Sequence, residues 1–158
     1  MSRFTVSQLE GDQIAAAFPL VRMAVPGIEL GAWTAFVDGL GERGGAMIGV
    51  FGGDSTLHGV AIYRIEVSLR GRRLAADAVV SFELNRAAPV RAALIAGLER
   101  EAARFGCAML ALTLPAKGYV DAGSAKAEAW LREGFGFDSV MLSRPVEAEA
   151  DTEKIAAP

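Results

Sequence analysis

The hydrophobic period of this chain changes on either side of its central segment, and those two changes dictate which kinds of element can follow one another there. Before residue 40, apolar residues recur at three- and four-residue spacing, as in "GAWTAFVDGL", where Trp33, Phe36, Val37 and Leu40 stand at i, i+3, i+4 and i+7. From "AMIGVFGG" through "LHGVAIYRIEVSL" to "RRLAADAVVSFEL" the period shortens to two. At Pro89 the helical spacing returns. Only short turns separate the three alternating segments, and "RGRR" around Gly71 fits a hairpin tip, so three consecutive antiparallel strands are expected at the centre.

The flanks complete the order. "RFTV", residues 3 to 6, reads as a short first strand. "GDQIAAAFPLVRMAV" reads as a helix with Asp12 as N-cap, kinked or broken at Pro19, and "GAWTAFVDGL" reads as a second helix with a glycine stop. After the strands, a helix is expected from about Pro89 to Phe105, with Gly106 as its stop and Val90, Leu94, Leu98, Glu101 and Phe105 on roughly one face. "CAMLALTLP" is then a short apolar strand, "AKAEAWLREG" a last helix and "GFDSVMLSRPV" a closing strand. Helices on both sides of the hairpin region imply an α/β fold, a mixed and mostly antiparallel central sheet with helices on both faces.

Composition bounds the function. With 158 residues, 52% hydrophobic and 22% charged, the chain suits one well-packed domain, expected over residues 1–146. The acidic, aromatic-free end, 147–158, is expected to be a disordered tail. A net charge of −3 offers no field for a phosphate backbone, so no nucleic-acid partner is expected. One cysteine, Cys107, and one histidine, His58, give neither a disulfide nor a metal cluster, and no metal is expected. The first residues show no secretory leader and no run is long enough to span a membrane, so a cytoplasmic protein without membrane contact is expected.

The segment "NRAAPVRAALIAGLEREAARFGC" carries the chemistry. It has the outline of a strand-to-helix turn that cradles a phosphate, but the turn holds no glycine. With its neighbours it resembles the GNAT superfamily of acetyl-CoA-dependent N-acetyltransferases. "AALIAGLEREAARFGCAMLALTL" is similar to that family's cofactor helix and following strand, and "AWLREGFGFDSVMLSRPV" to its closing helix, Gly-Phe turn and last strand.

The resemblance implies a cofactor, acetyl-CoA or another acyl-CoA, and an acyl transfer to an amine. In the family an R/Q-x-x-G-x-G/A turn holds the pyrophosphate on backbone N–H groups, and here it falls on "RAAPVR". Arg86 matches the first position, whereas Pro89 and Arg91 stand at the glycine positions. Proline lacks the N–H, and the Arg91 side chain crowds the approach. Pro89 nonetheless suits a helix start, and the macrodipole, worth ~0.5 to 1 kcal/mol toward an anion, remains. Arg86 and Arg91 are thus either anion ligands or exposed charges of a first turn. The implied cofactor-binding residues are Phe82, Leu84, Asn85, Arg86, Val90, Arg91 and Ala92.

For catalysis the resemblance implies a carboxylate base, and Glu83 is the first candidate, with Glu66 and Asp77 behind it. Alternation puts Ser81 and Glu83 on one face and Val80, Phe82 and Leu84 on the other. The family's tyrosine acid has no equivalent, because Trp130 or, in another count, Arg132 stands there; Tyr119 is the nearest phenol. The expected partner is a small-molecule or protein amine as acceptor, or a protein bound by a fold that has lost acetyl-CoA chemistry. A homodimer is one assembly open to such a fold.

Overall fold

The computed structural model describes residues 4–84, 86–114 and 123–137. The chain divides into two compact units, Met1–Pro115 and Ala116–Pro158.

The first unit is built on a five-stranded sheet in the order β1-β2-β3-β4-β5. β1 (Thr5–Gln8), β2 (Gly45–Phe51), β3 (Leu57–Ser68) and β4 (Gly71–Ser81) run antiparallel to their neighbours, and β5 (Met109–Leu112) lies parallel to β4. This is the expected mixed, mostly antiparallel sheet. The hairpin between β3 and β4 pairs Ser68 with Gly71 across a two-residue tip, where Gly71 takes φ 101°. The tip residues Leu69 and Arg70 are not at positive φ, and the left-handed position falls on the residue after them, as in a type I turn closed by a glycine, which takes it without a Cβ penalty.

Three short helices cover one face: α1 (Asp12–Ala16), α2 (Phe18–Ala24) and α3 (Leu30–Asp38). The helix is broken rather than kinked ahead of Pro19, which sits in the first turn of α2, where its missing N–H costs nothing. Asp12 is not the N-cap that the sequence suggests. Gly11 holds that position at φ 54°, and Asp12 follows as the first helical residue, its charge near the positive end of the helix. The core on this face joins Leu20, Val21, Trp33, Leu40, Met47, Val60, Ile62 and Val80. Trp33, 2% exposed, donates its indole N–H to the Ile14 carbonyl at 3.2 Å, so the one polar atom of that ring is satisfied inside the core.

The opposite face carries α4 (Pro89–Arg104), which buries Val90, Leu94, Ile95, Leu98 and Ala102. Helices therefore lie on both faces. Two glycines let this helix come close. A Cβ on Gly59 would meet Val90 Cγ1 at 2.7 Å, and one on Gly97 would meet Val6 Cγ1 at 2.8 Å and Ile48 Cδ1 at 2.9 Å. Beneath α4 the buried Tyr63 donates its hydroxyl to Glu101 Oε2 at 2.8 Å. Gly106, at φ 66°, ends the helix as expected.

In the second unit α5 (Ala125–Arg132) starts at Ser124, whose Oγ accepts from Ala127 N at 3.2 Å. Trp130 is buried and meets Phe135 edge to face at 5.4 Å between ring centroids. Gly136 and Phe137, the first two residues of the expected closing strand, are not in a strand, and the rest of it, from residue 138 on, lies outside the described residues together with Tyr119, the acidic tail and Asn85. No helix among the described residues is long and apolar enough to cross a membrane.

Candidate functional site

The ladder between β4 and β5 is short. It pairs Arg73 with Met109 through Ala76 with Leu112, and its last bond runs from Thr113 N to the Ala76 carbonyl at 2.9 Å. β4 continues five residues further, from Asp77 to Ser81, on β3 alone among the described residues. The cause is local. Against β3, Ala76 pairs with Tyr63 and Ala78 with Ile62, so Asp77 is an extra residue, a β-bulge. A bulge bends its strand and increases twist, and here it falls at the point where β4 leaves β5.

The bulge is braced by charge. Arg64 binds Asp77 through Nη1 and Glu66 Oε1 through Nη2 at 2.6 Å, and Arg73 Nε binds Glu66 Oε2 at 2.7 Å. Arg73, then Arg64, holds the Glu66 carboxyl below the usual carboxylate value, and Asp77 chiefly raises that of Arg64. Glu66 and Asp77, the secondary base candidates, are therefore committed to arginines. The lowered Glu66 carboxylate is the poorer proton acceptor for it.

Beyond the bulge the remaining candidates gather at the start of α4. Phe82 N donates to the His58 carbonyl at 2.8 Å, one residue past the end of β4. Phe82 and Leu84 are 49% and 83% exposed. Arg86 is exposed, Arg91 half-buried, and Val90 turns its side chain into the core under α4.

Glu83 occupies the anion position itself. Its Oε1 accepts from Arg91 N at 2.6 Å and its Oε2 lies 3.4 Å from Val90 N. Ser81 pairs with Gly59 on the α4 side of the sheet, so the residue two further along reaches the same side. From Pro89 to Ala92 each backbone donor is thereby missing or bonded. Pro89 has no N–H, Val90 and Arg91 give theirs to Glu83, and Ala92 gives its own to the Ala88 carbonyl at 3.0 Å.

This capping role was not read from the sequence, although a signal for it exists. The helix start "RAAPV" offers no Ser, Thr, Asp or Asn to satisfy its orphan donors, so an acceptor from outside it has to serve, and a carboxylate suits the positive end of a helix. The turn also places its left-handed residue at Ala88, φ 46° and ψ 53°, one residue ahead of Pro89, the first position where glycine was sought.

No protein-family model matches the chain, and no curated protein is detectably similar in sequence. Solved structures do match. An aminoglycoside N-acetyltransferase, AAC(6')-Iy, in complex with CoA superimposes with TM-score 0.72 at 15% identity, over 95% of this chain and 97% of that one. An acetyltransferase from Trypanosoma brucei gives 0.68 at 16%, over 90% and 99%. Glucosamine-6-phosphate N-acetyltransferase from Arabidopsis thaliana gives 0.67 at 14%, over 91% and 99%. At such identities the likeness is one of architecture, and it covers nearly the whole of every chain compared: this protein has the acetyltransferase fold of the GNAT type.

Proposed function

We propose that the chain is an atypical acyl-CoA-dependent N-acyltransferase that moves an acyl group, acetyl in the simplest case, onto an amine of a small molecule or protein. The observation that carries this reading is the parting of β4 from β5 at the Asp77 bulge, directly ahead of the start of α4. Such an opening offers strand edge that no described residue pairs to an extended, amide-containing ligand such as pantetheine, with Phe82 and Leu84 as exposed apolar neighbours. Supporting it, the AAC(6')-Iy structures that share this architecture were solved with CoA and with a CoA-based bisubstrate analogue.

An acyl-CoA would supply the activated thioester. The residues present fit it in one part and conflict with it in another. The opened strands, Phe82, Leu84, Arg86 and Arg91 suit a pantetheine chain that ends in phosphates. The helix start does not, because its first-turn donors are already bonded. Glu83 can act as a base, directly or through water, only after leaving that cap. Isothermal titration with acetyl-CoA and longer acyl-CoA thioesters tests the reading. Saturable binding that weakens about fivefold or more in Arg86→Ala and Arg91→Ala upholds it, the size expected for one charged contact to phosphate. Absence of binding at millimolar cofactor ends it.

The occupied helix start favours a second reading, a non-catalytic module of the same fold that binds a protein or small ligand. It predicts that no acyl-CoA binds.

A further inference from the structure

We propose that the tip of the β3–β4 hairpin is a docking point for an anionic lipid surface, into which Leu69 and Val67 insert while the neighbouring arginines meet the headgroups. The tip lies at the opposite end of β4 from the start of α4, and the proposal is independent of the acyl-CoA reading. β3 and β4 are the longest strands of the sheet, and their pairing outruns both neighbours. The ladder with β2 begins at Gly45, opposite Arg64, and the ladder with β5 at Met109, opposite Arg73. Past these pairs the ladder holds only β3 and β4 among the described residues, so the hairpin stands out from the sheet by roughly three residues, on the order of 10 Å. The tip is fixed by its own bonds: Ser68 Oγ accepts from Arg70 N at 3.1 Å and donates to the Gly71 carbonyl at 3.3 Å.

This protruding tip is apolar and basic at once. Leu69 is fully exposed and Val67 is 76% exposed, where turn chemistry ordinarily selects small polar residues. From Arg64 to Arg73 the hairpin carries four arginines and one carboxylate, in a chain whose net charge is −3. That carboxylate, Glu66, bridges Arg64 and Arg73 lower on the hairpin, while Arg70 and Arg72 are exposed beside Leu69. Apolar side chains gain by leaving water, and guanidinium groups gain by meeting anionic headgroups. Both gains are made together at a surface that is anionic outside and apolar a few ångströms deeper, which describes a bilayer. Nucleic acid would engage the arginines and leave Leu69 and Val67 in water. The expectation of no membrane contact came from the lack of a spanning run, and a docking tip needs none.

The test is co-sedimentation of the full chain with vesicles of phosphatidylcholine, alone and in equal mixture with phosphatidylserine, for wild type, Leu69→Ser and Arg70→Ala. Arg72 is left in place because its Nη1 holds the Phe105 carbonyl at 3.0 Å. The comparison of the two vesicle types with wild type alone reads the proposal even where a variant fails to fold. The expected result is binding to the mixed vesicles only, about tenfold weaker in Leu69→Ser and about fivefold weaker in Arg70→Ala, and weakened by added salt. No binding of wild type to the mixed vesicles overturns the proposal, and so does binding that neither variant weakens. Poly-L-glutamate serves as a second probe. If it binds at least as tightly as the mixed vesicles, and equally in Leu69→Ser, the tip belongs to an acidic protein partner and the lipid proposal falls.

Discussion

At the turn into α4, two residues carry costs and gains that a substitution can separate. Ala88 holds a left-handed conformation at φ 46°, which costs an alanine roughly 1 kcal/mol relative to a residue without a Cβ. Ala88→Gly is therefore expected to raise unfolding stability by up to about 1 kcal/mol, read from urea midpoints, the gain being trimmed by the greater freedom of glycine in the unfolded chain. Glu83→Ala acts in the opposite direction. It leaves the Val90 and Arg91 N–H groups without their acceptor and is expected to lower stability by ~1 kcal/mol, the usual size of a lost N-terminal cap. The helix start was legible from Pro89 and the apolar spacing that follows. The capping partner was not, because it comes from a strand end on the other side of a turn, and propensity carries no information about what a neighbouring segment donates.

Among the elements, the strands and long helices follow from periodicity because each buries one face. β2, β3, β4 and α4 stand within a few residues of where alternation and helical spacing put them. The bulge at Asp77 was not legible: the pattern "LAADAVV" stays apolar across it, and only pairing with β3 reveals the extra residue. Contact between α4 and the sheet yields two predictions. Gly59→Val puts a branched side chain where Val90 Cγ1 stands 2.7 Å from a Cβ, and the Val80 carbonyl 3.1 Å away. It is expected to cost about 1–3 kcal/mol by overpacking, and to weaken acetyl-CoA binding because Val90 belongs to the first turn of α4. Tyr63 is pushed up to about 12, first by burial and then by its bond to Glu101. An unfolded tyrosine titrates near 10, so the unfolded state releases its proton first. The stability linked to this group is intact below pH 10 and falls as pH rises from 10 toward 12. Denaturant midpoints across that window are expected to drop more steeply for wild type than for Tyr63→Phe.

Over the whole molecule, the order of elements was enough to name the architecture, and superposition on acetyltransferases over 90–95% of the chain agrees with it. The chemistry was less legible, because it depends on two distances that no spacing rule gives: the point where β4 parts from β5, and the reach of Glu83 to the helix that follows. Both converge on one prediction, that an acyl-CoA lies along the end of β4 and meets the start of α4. Amide hydrogen exchange on the wild-type protein, with and without saturating acetyl-CoA, reads those two segments directly. Slowed exchange across residues 78–84 and at the first turn of α4 is the expected result. Unchanged exchange in both segments would contradict it.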